Sequence, residues 1–404
     1  MTPFLQFALT LAIILVAAKL GGYLATRFGQ PSVLGELLIG VVLGPSVIDL
    51  INIPFFHNEV LPEAIHFLAE IGVLLLMFLA GLELHISDLR KNTKSAAYSG
   101  LLGVVVPVAL GYFAGIAAGF SVQNSIFLGL TLGATSVSIS AQTLMELNRL
   151  RTKVGLTMLG AAVFDDILVI LLLSIVLALA EGGSAGQVAI VVLRMVLFLA
   201  GSIWFGAKVL PALSKRVAKM PVSQGALTFA LVVMLVYGVA SEFLGGMAAI
   251  TGTFIAGLMF ARTGEKSYIE SGIRALSYAL FVPIFFVNIG LTINLREMDT
   301  TALILLAILT VIAVVGKIIG AGSGARLGGL NWQESLQLGI GMSSRGEVGL
   351  IIASIGLKSG FLTSDLFSAV IGTVLISTLL TPPLLRWAFK EKNPPGEQPS
   401  EIGA

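Results

Sequence analysis

The sequence contains no cysteine, three scattered histidines and few charged residues, and each of these scarcities excludes a class of protein. Without cysteine the chain forms no disulfide, has no thiolate nucleophile and has no metal site with cysteine ligands. Charged residues make up 11% of the 404 residues, whereas a soluble globular chain carries roughly 25%. A surface that faces water cannot be built from so few charges.

Apolar residues and glycine, in contrast, are abundant. Hydrophobic residues make up 56% of the chain, the mean hydropathy is +0.98, and there are 46 glycines. Glycine is frequent where transmembrane helices pack closely through small residues. We therefore predict an all-α polytopic membrane protein that contacts the lipid bilayer. The net charge of +2 gives no indication of a nucleic-acid partner.

Thirteen apolar segments are each about as long as the ~20-residue helix that crosses a bilayer. Short linkers join them, which predicts one transmembrane domain over residues 1–390 and a short cytoplasmic tail over residues 391–404. The predicted segments are residues 3–24, 31–49, 63–84, 95–119, 124–146, 153–181, 186–208, 223–243, 246–262, 272–290, 300–325, 332–357 and 363–387.

Basic residues lie mainly in alternate loops. The loops after odd-numbered segments hold 18 lysines and arginines, and the loops after even-numbered segments hold 2. Because basic residues concentrate on the cytoplasmic side, this pattern predicts that the N-terminus lies outside and the C-terminus in the cytoplasm. We expect the protein in the cell (inner) membrane. The alternation also supports the count of thirteen, since one missed helix would reverse the pattern from that point.

Polar interruptions occur near mid-depth in the fifth and the twelfth segment. Thr135, Ser136 and Ser138 form a run of hydroxyl residues in the fifth, and Arg345 and Glu347 are charged residues in the twelfth. The fifth and the twelfth segment are seven apart, and an odd separation gives them opposite orientations in the membrane. Segments 1–6 and 8–13 can therefore form two inverted six-helix repeats with crossed discontinuous helices. Paired interruptions of this kind indicate a transporter binding site, although small residues can also serve tight packing alone. We interpret Arg345 and Glu347 first as supporting charges at the broken helix ends.

Asp165 and Asp166 are adjacent in the sixth segment and lie close to the bilayer centre. A charge there costs several kcal/mol unless it is paired or hydrated. Neighbouring residues point about 100° apart on a helix, so one carboxylate can pair with Lys317 in the eleventh segment while the other faces a water-filled cavity. Such a site can exchange protons, and a cation that competes for a carboxylate would then be exchanged for H⁺. The alternative is a purely structural ion pair.

Oxygen ligands from these carboxylates and from the hydroxyls of Thr135, Ser136 and Ser138 would suit a hard cation such as Na⁺, with Li⁺ or K⁺ as alternatives. We find no nucleophile–base set and no metal-ligand set in the sequence. The expectation is therefore a secondary active transporter with no catalytic residues and no cofactor.

Short motifs follow one another along the chain in a specific order. They are Gln30-Pro31-Ser32-Val33-Leu34-Gly35-Glu36, Gly81-Leu82-Glu83, Ala134-Thr135-Ser136-Val137, Asp165-Asp166, Pro283-Ile284-Phe285-Phe286, Gly316-Lys317 and Arg345-Gly346-Glu347-Val348-Gly349. In this order they resemble the second branch of the monovalent cation:proton antiporter superfamily, and most closely its bacterial Na⁺/H⁺ antiporters of the NapA type. One departure is Ser344, where relatives often carry proline, and it leaves the position of the second helix break open.

The resemblance implies a fold of thirteen transmembrane helices like that of NhaA and NapA, and a homodimer. It implies a core of helices 4–6 and 11–13 that moves against dimerisation helices, as an elevator, to give alternating access. It further implies that Asp166 binds Na⁺ and exchanges protons, with Asp165 and Thr135 nearby, and that Asp165 forms a salt bridge with Lys317. An aspartate pair with this lysine goes with electrogenic exchange in such relatives, which serve pH homeostasis.

Other functions stay open from the sequence. The nearest is K⁺/H⁺ antiport of the Kef type, although relatives of that type usually carry a nucleotide-binding regulatory domain, which we do not expect here. A Na⁺-coupled organic-anion symporter of the bile-acid type shares the crossed helices but does not need Asp165, Asp166 and Lys317 together. A channel is disfavoured because a salt bridge at mid-depth would obstruct conduction.

Overall fold

A computed structural model describes residues 2–55, 60–82, 92–180, 185–291, 296 and 300–390, and the regular structure of this part of the chain is entirely helical. A 3₁₀ turn covers Leu50–Asn52, and a π-helical stretch, Ser277–Phe281, joins α12 to α13. The α-helices are α1 (Pro3–Arg27), α2 (Ser32–Leu43), α3 (Leu61–Leu82), α4 (Thr93–Ala117), α5 (Val122–Gly133), α6 (Val137–Glu146), α7 (Lys153–Ala180), α8 (Ala185–Lys208), α9 (Leu210–Val217), α10 (Gly225–Phe243), α11 (Ala249–Phe260), α12 (Lys266–Leu276), α13 (Val282–Leu291), α14 (Thr300–Leu327), α15 (Trp332–Gly341), α16 (Glu347–Lys358) and α17 (Ser364–Phe389).

Ten helical stretches among the described residues are long and apolar enough to cross a membrane. Two further apolar helices, α2 and α11, are shorter. Each predicted segment coincides with one helix or with two consecutive helices, whereas the count of thirteen spans stays a prediction. The predicted tail over residues 391–404 lies outside the described residues.

Large apolar side chains on the outside of the bundle show which surface meets lipid. Phe4, Trp204 and Phe243 are 63–76% exposed. Many such residues together would form an apolar patch far larger than a soluble monomer tolerates. In a bilayer the same side chains lie against hydrocarbon.

The helices pack in two groups. In the first group, which we name the α4–α14 group, α14 packs against α4, α15 and α17, and α4 also packs against α5 and α7. Helices α6 and α16 join this group through contacts with α17. In the second, the α3–α11 group, α3 packs against α11 and α13, and α2 packs against α1 and α13. The first group contains the residues of predicted helices 4–6 and 11–13.

A polar network connects the two groups at one end of the bundle. The backbone N–H and the hydroxyl of Ser32 on α2 donate to the carboxylate of Glu146 on α6, at 2.7 and 2.6 Å. Gln142 donates to the same carboxylate at 2.8 Å and accepts from the hydroxyl of Tyr278 at 2.8 Å. Lys19 on α1 donates to the carbonyl of Tyr278 at 2.8 Å. Apolar packing alone therefore does not hold this end together.

Glycine permits backbone contact where α3 crosses α11. A Cβ atom at Gly257 would lie 2.0 Å from the carbonyl oxygen of Phe78, and one at Gly81 would lie 2.2 Å from the carbonyl oxygen of Phe254. No side chain fits at either position, and close approach through small residues is how helices associate in lipid.

The Gly257→Ala variant is expected to lose stability, because the added methyl group forces α3 and α11 apart. Overpacking of a tight contact typically costs about 1–3 kcal/mol, so the melting temperature of the purified protein in detergent should fall. Gly201→Ala is the matched control, since Gly201 lies in helix α8 and a Cβ atom there meets nothing within 4 Å. Equal melting temperatures for the two variants would contradict the close crossing.

Candidate functional site

Two broken helices cross inside the α4–α14 group. Helix α5 ends at Gly133 and α6 begins at Val137, while α15 ends at Gly341 and α16 begins at Glu347. The second break thus spans residues 342–346, which answers the question that Ser344 left open. The backbone N–H of Ser136 donates to the carbonyl of Ser344 at 2.9 Å, and the hydroxyl of Ser344 donates back to the carbonyl of Ser136 at 2.5 Å. The two unwound segments are therefore joined directly.

Buried serine hydroxyls fasten the crossing. Ser140 on α6 donates to the carbonyl of Gly341 at 2.5 Å and lies 3.1 Å from the hydroxyl of Ser344. Ser136 and Ser138 are also buried, and their hydroxyl oxygens are 2.9 Å apart. Ser140 was not among the predicted site residues, although it belongs to the same run of hydroxyl residues. The part of Ser136 and Ser138 in cation binding stays a prediction.

Arg345 lies behind the crossing and is only 1% exposed. Its guanidinium donates to the carbonyls of Leu132, Ala313 and Ser343 at 2.5, 3.0 and 3.1 Å. Leu132 is in the last turn of α5, where carbonyls have no partner in their own helix and the helix dipole is negative. Arg345 therefore supplies both donors and positive charge at the break. Glu347 begins α16, and its side chain lies outside the described part of the structure.

Asp165 and Lys317 form a buried ion pair. The Nζ atom of Lys317 on α14 is 2.5 Å from Oδ1 of Asp165 on α7, and the two side chains are 0% and 1% exposed. Helix α4 packs against both α7 and α14. At Gly100 on α4 a Cβ atom would lie 2.6 Å from Cβ of Phe164, so glycine lets α7 approach closely. The prediction that Lys317 pairs with one of the two carboxylates agrees with this geometry.

Two buried oxygen atoms next to this pair make no hydrogen bond within the described structure. They are Oδ2 of Asp165 and Oγ1 of Thr135, which faces the Asp165 carboxylate from the unwound segment. Buried polar atoms in proteins nearly always have a partner. An oxygen pair of this kind, next to a carboxylate, suits a hard cation or a water molecule as its partner.

Asp166 points in a different direction from Asp165. Its Oδ2 atom accepts a hydrogen bond from the hydroxyl of Thr251 on α11 at 2.8 Å, and the residue is 7% exposed. The two adjacent carboxylates thus have different partners, as their ~100° separation on a helix allows. Asp166 also borders a cavity, but this cavity is small and mainly apolar, whereas we expected a water-filled one. Its other lining residues are Met77, Val137, Leu159, Ala162, Val163, Ile250, Thr251 and Phe254.

The structure therefore separates the predicted site residues into three sets. Asp165, Lys317 and Thr135 lie together, Asp166 faces the α3–α11 group, and the serines and Arg345 hold the crossing. Sequence reasoning missed Thr251, because a lone threonine in an apolar segment carries no pattern. No group of three or more histidine, aspartate or glutamate residues in the described ranges could hold a resident metal ion.

The Lys317→Met variant is expected to be strongly destabilised, because it leaves the Asp165 carboxylate buried without its partner. Breaking one partner of a buried pair costs roughly 3–5 kcal/mol, which a lowered melting temperature in detergent would reveal. The double variant Asp165→Asn/Lys317→Met should recover most of the loss, since neither charge remains. Lys219→Met removes an exposed lysine and serves as the control. A Lys317→Met protein with the melting temperature of the wild type would refute a structural contribution of the pair.

Comparison with known proteins places the chain in a family. A family profile described as "Sodium/hydrogen exchanger, transmembrane" matches residues 13–391. The chain is 42% identical over 388 residues to the Na⁺/H⁺-K⁺ antiporter GerN of Bacillus cereus, covering 96% of this chain and 97% of that protein. It is 37% identical over 389 residues to a Na⁺/H⁺ antiporter of Enterococcus hirae, covering 96% and 99%.

The fold is similar to that of a solved transporter. The sodium proton antiporter MjNhaP1 of Methanocaldococcus jannaschii, solved at pH 8, superimposes with a TM-score of 0.70 at 18% identity, covering 96% of this chain and 99% of that one. At this identity the match concerns the fold alone. The resemblance seen in the motifs is thereby confirmed for the antiporter family, while the NapA type stays a prediction. The chain belongs to the sodium/hydrogen exchanger family, whose members are membrane transporters and not enzymes.

Proposed function

We propose that this protein is an electrogenic Na⁺/H⁺ antiporter in which Asp166 carries either the cation or a proton. The observation that carries the proposal is the contrast between the two adjacent carboxylates. Asp165 is neutralised by Lys317 at 2.5 Å inside the α4–α14 group. Asp166 lies at the boundary between the two helix groups, next to a cavity, with a neutral hydroxyl as a hydrogen-bond partner.

Competition for one carboxylate couples the two ions. A charged carboxylate is costly in a membrane interior, and either a proton or a bound cation would remove the net charge of Asp166. The Thr135 hydroxyl and the second oxygen of Asp165 are buried and have no hydrogen-bond partner in the described structure. They are therefore candidate ligands that would help a hard cation leave its water shell. Ser136 and Ser138 stand next to them in the unwound segment.

Lys317 provides a second group that exchanges protons. A cation bound between Asp165 and Asp166 would compete with Lys317 for the Asp165 carboxylate, because both are positive and the pair is buried. Release of a proton from the lysine would then accompany cation binding. Exchange of more protons than cations moves net charge, which is why we propose an electrogenic cycle.

Alternating access would come from movement of one helix group against the other. Arg345 and the serine contacts bind both broken helices to α14 and α17 through Ala313 and Thr378, so the α4–α14 group can move as one body. We propose that it is the moving core and that the α3–α11 group contains the dimerisation helices. Thirteen spans, inverted repeats, an outside N-terminus and a cytoplasmic C-terminus in the cell membrane complete this proposal.

A second candidate is K⁺/H⁺ antiport. The printed name of GerN, 42% identical to this chain, includes both Na⁺ and K⁺. Oxygen ligands of the kind found here can accept either ion. Membership of the sodium/hydrogen exchanger family, in turn, favours antiport over the Na⁺-coupled organic-anion symport that the crossed helices also allow.

Transport by the purified protein in proteoliposomes tests the proposal. With a pH dye inside and an imposed pH gradient, added Na⁺ should move protons in the wild type. Asp166→Asn should abolish the response because the neutral amide does not exchange a proton and has no negative charge to balance that of a cation. Asp49→Asn is the matched control, since Asp49 lies in a loop at φ 58°, a conformation that asparagine tolerates. Normal activity of Asp166→Asn would refute the site, and a response to K⁺ alone would favour the second candidate.

The electrogenic cycle has its own test. An inside-negative potential should accelerate Na⁺-dependent proton entry and slow or reverse Na⁺-dependent proton exit, because net positive charge moves with the protons in each cycle. The same vesicles with the potential collapsed serve as the control. Rates that do not respond to the potential would establish electroneutral exchange instead.

A further inference from the structure

Thr251 contacts Asp166 from the other helix group. Its hydroxyl donates to Oδ2 of Asp166 at 2.8 Å, and the threonine is 3% exposed. We propose that Thr251 is a positioning and selectivity residue of the cation site, contributed by the α3–α11 group. This inference rests on the proposed function, since it assumes that Asp166 receives the cation.

The hydrogen bonds of the nearby backbone explain why the Thr251 hydroxyl donates to Asp166. A threonine in a helix usually donates to a carbonyl three or four residues earlier, as Thr253 does to Ile250 at 2.9 Å. For Thr251 the carbonyl three residues earlier is that of Ala248. It already accepts from the hydroxyl of Ser241 at 2.9 Å and from the backbone N–H of Thr251 at 3.1 Å. The hydroxyl is therefore directed across the boundary between the helix groups.

The cavity at Asp166 offers an incoming cation few oxygen atoms. Among its lining side chains, those of Asp166 and Thr251 are polar, and the others are apolar. A hydroxyl oxygen keeps two lone pairs while it donates its hydrogen. Thr251 can thus hold the carboxylate in place before binding, and can then offer its oxygen to the cation that Asp166 receives.

The fixed position of the Thr251 hydroxyl on the second helix group also limits the size of the cation that can bind. Met77 and Phe254 line the same cavity and are buried, so Thr251 has little space in which to retreat. The distance between its oxygen and the Asp166 carboxylate sets how large an ion fits between them. Removal of the hydroxyl should therefore change the ratio of affinities for Li⁺, Na⁺ and K⁺, which a merely structural threonine would leave unchanged.

Three variants in proteoliposomes test the inference. Thr251→Val keeps the shape but lacks the oxygen, and is expected to raise KM for Na⁺ about tenfold, the effect of one hydrogen bond to a charged group, with kcat within about twofold. The order or the ratio of KM values for Li⁺, Na⁺ and K⁺ should also change. Thr251→Ser should keep wild-type values because it restores the hydroxyl. Thr253→Val is the matched control, since it removes a buried hydroxyl of the same helix that does not contact Asp166.

The outcomes are distinguishable from a failure of the proposed function. If the wild type shows no cation-dependent proton movement, antiport itself fails. If the wild type transports and Thr251→Val has wild-type KM values and ion ratios, only the inference about Thr251 is wrong. A Thr251→Ser protein as impaired as Thr251→Val, or an equal shift in Thr253→Val, would overturn it too. Should Thr251→Val fail to fold, Thr251→Ala, compared with Thr251→Ser, gives the same test.

Discussion

A membrane interior supplies no water to satisfy a charge, and the buried pair of Lys317 and Asp165 is the response on which this structure depends. The two groups are 2.5 Å apart and almost fully buried. Either charge alone would be costly at this depth. The ion pair therefore requires α7 and α14 to stay close enough for the two side chains to meet. Helix α4 lies against each of them, and its glycine at position 100 allows the approach. The rest of the site is built against this fixed point.

The same constraint explains the contacts at the two breaks. Interrupting a helix frees carbonyl and N–H groups that hydrocarbon cannot satisfy. The two unwound segments hydrogen-bond to each other through Ser136 and Ser344, and Arg345 donates to the carbonyl of Leu132 at the end of α5. The result is a polar region at mid-depth that remains fully packed.

The position of Asp166 follows from that of Asp165. Once Asp165 faces Lys317, the next residue along the helix is turned away by about 100°, toward the boundary with the α3–α11 group. A group at such a boundary can be the first to meet an ion that enters between the two helix groups. The electrogenic antiport that we propose for this member of the sodium/hydrogen exchanger family would use one carboxylate of each kind.

The sequence by itself determined the membrane class, the positions of the helical segments, the two interruptions and the pairing of Lys317 with an adjacent aspartate. Those conclusions rest on hydropathy and on the cost of charge in lipid, which act locally. Only the tertiary structure decided which backbone carbonyls Arg345 binds, that Ser140 fastens the crossing, and that Thr251 donates to Asp166. Thr251 is 85 residues from its partner and Ser140 is 204 residues from Ser344. A neutral hydroxyl costs much less in an apolar segment than a charge does, so a lone threonine such as Thr251 carries no local signal. The acceptors of both hydroxyls depend on which distant helix packs beside them.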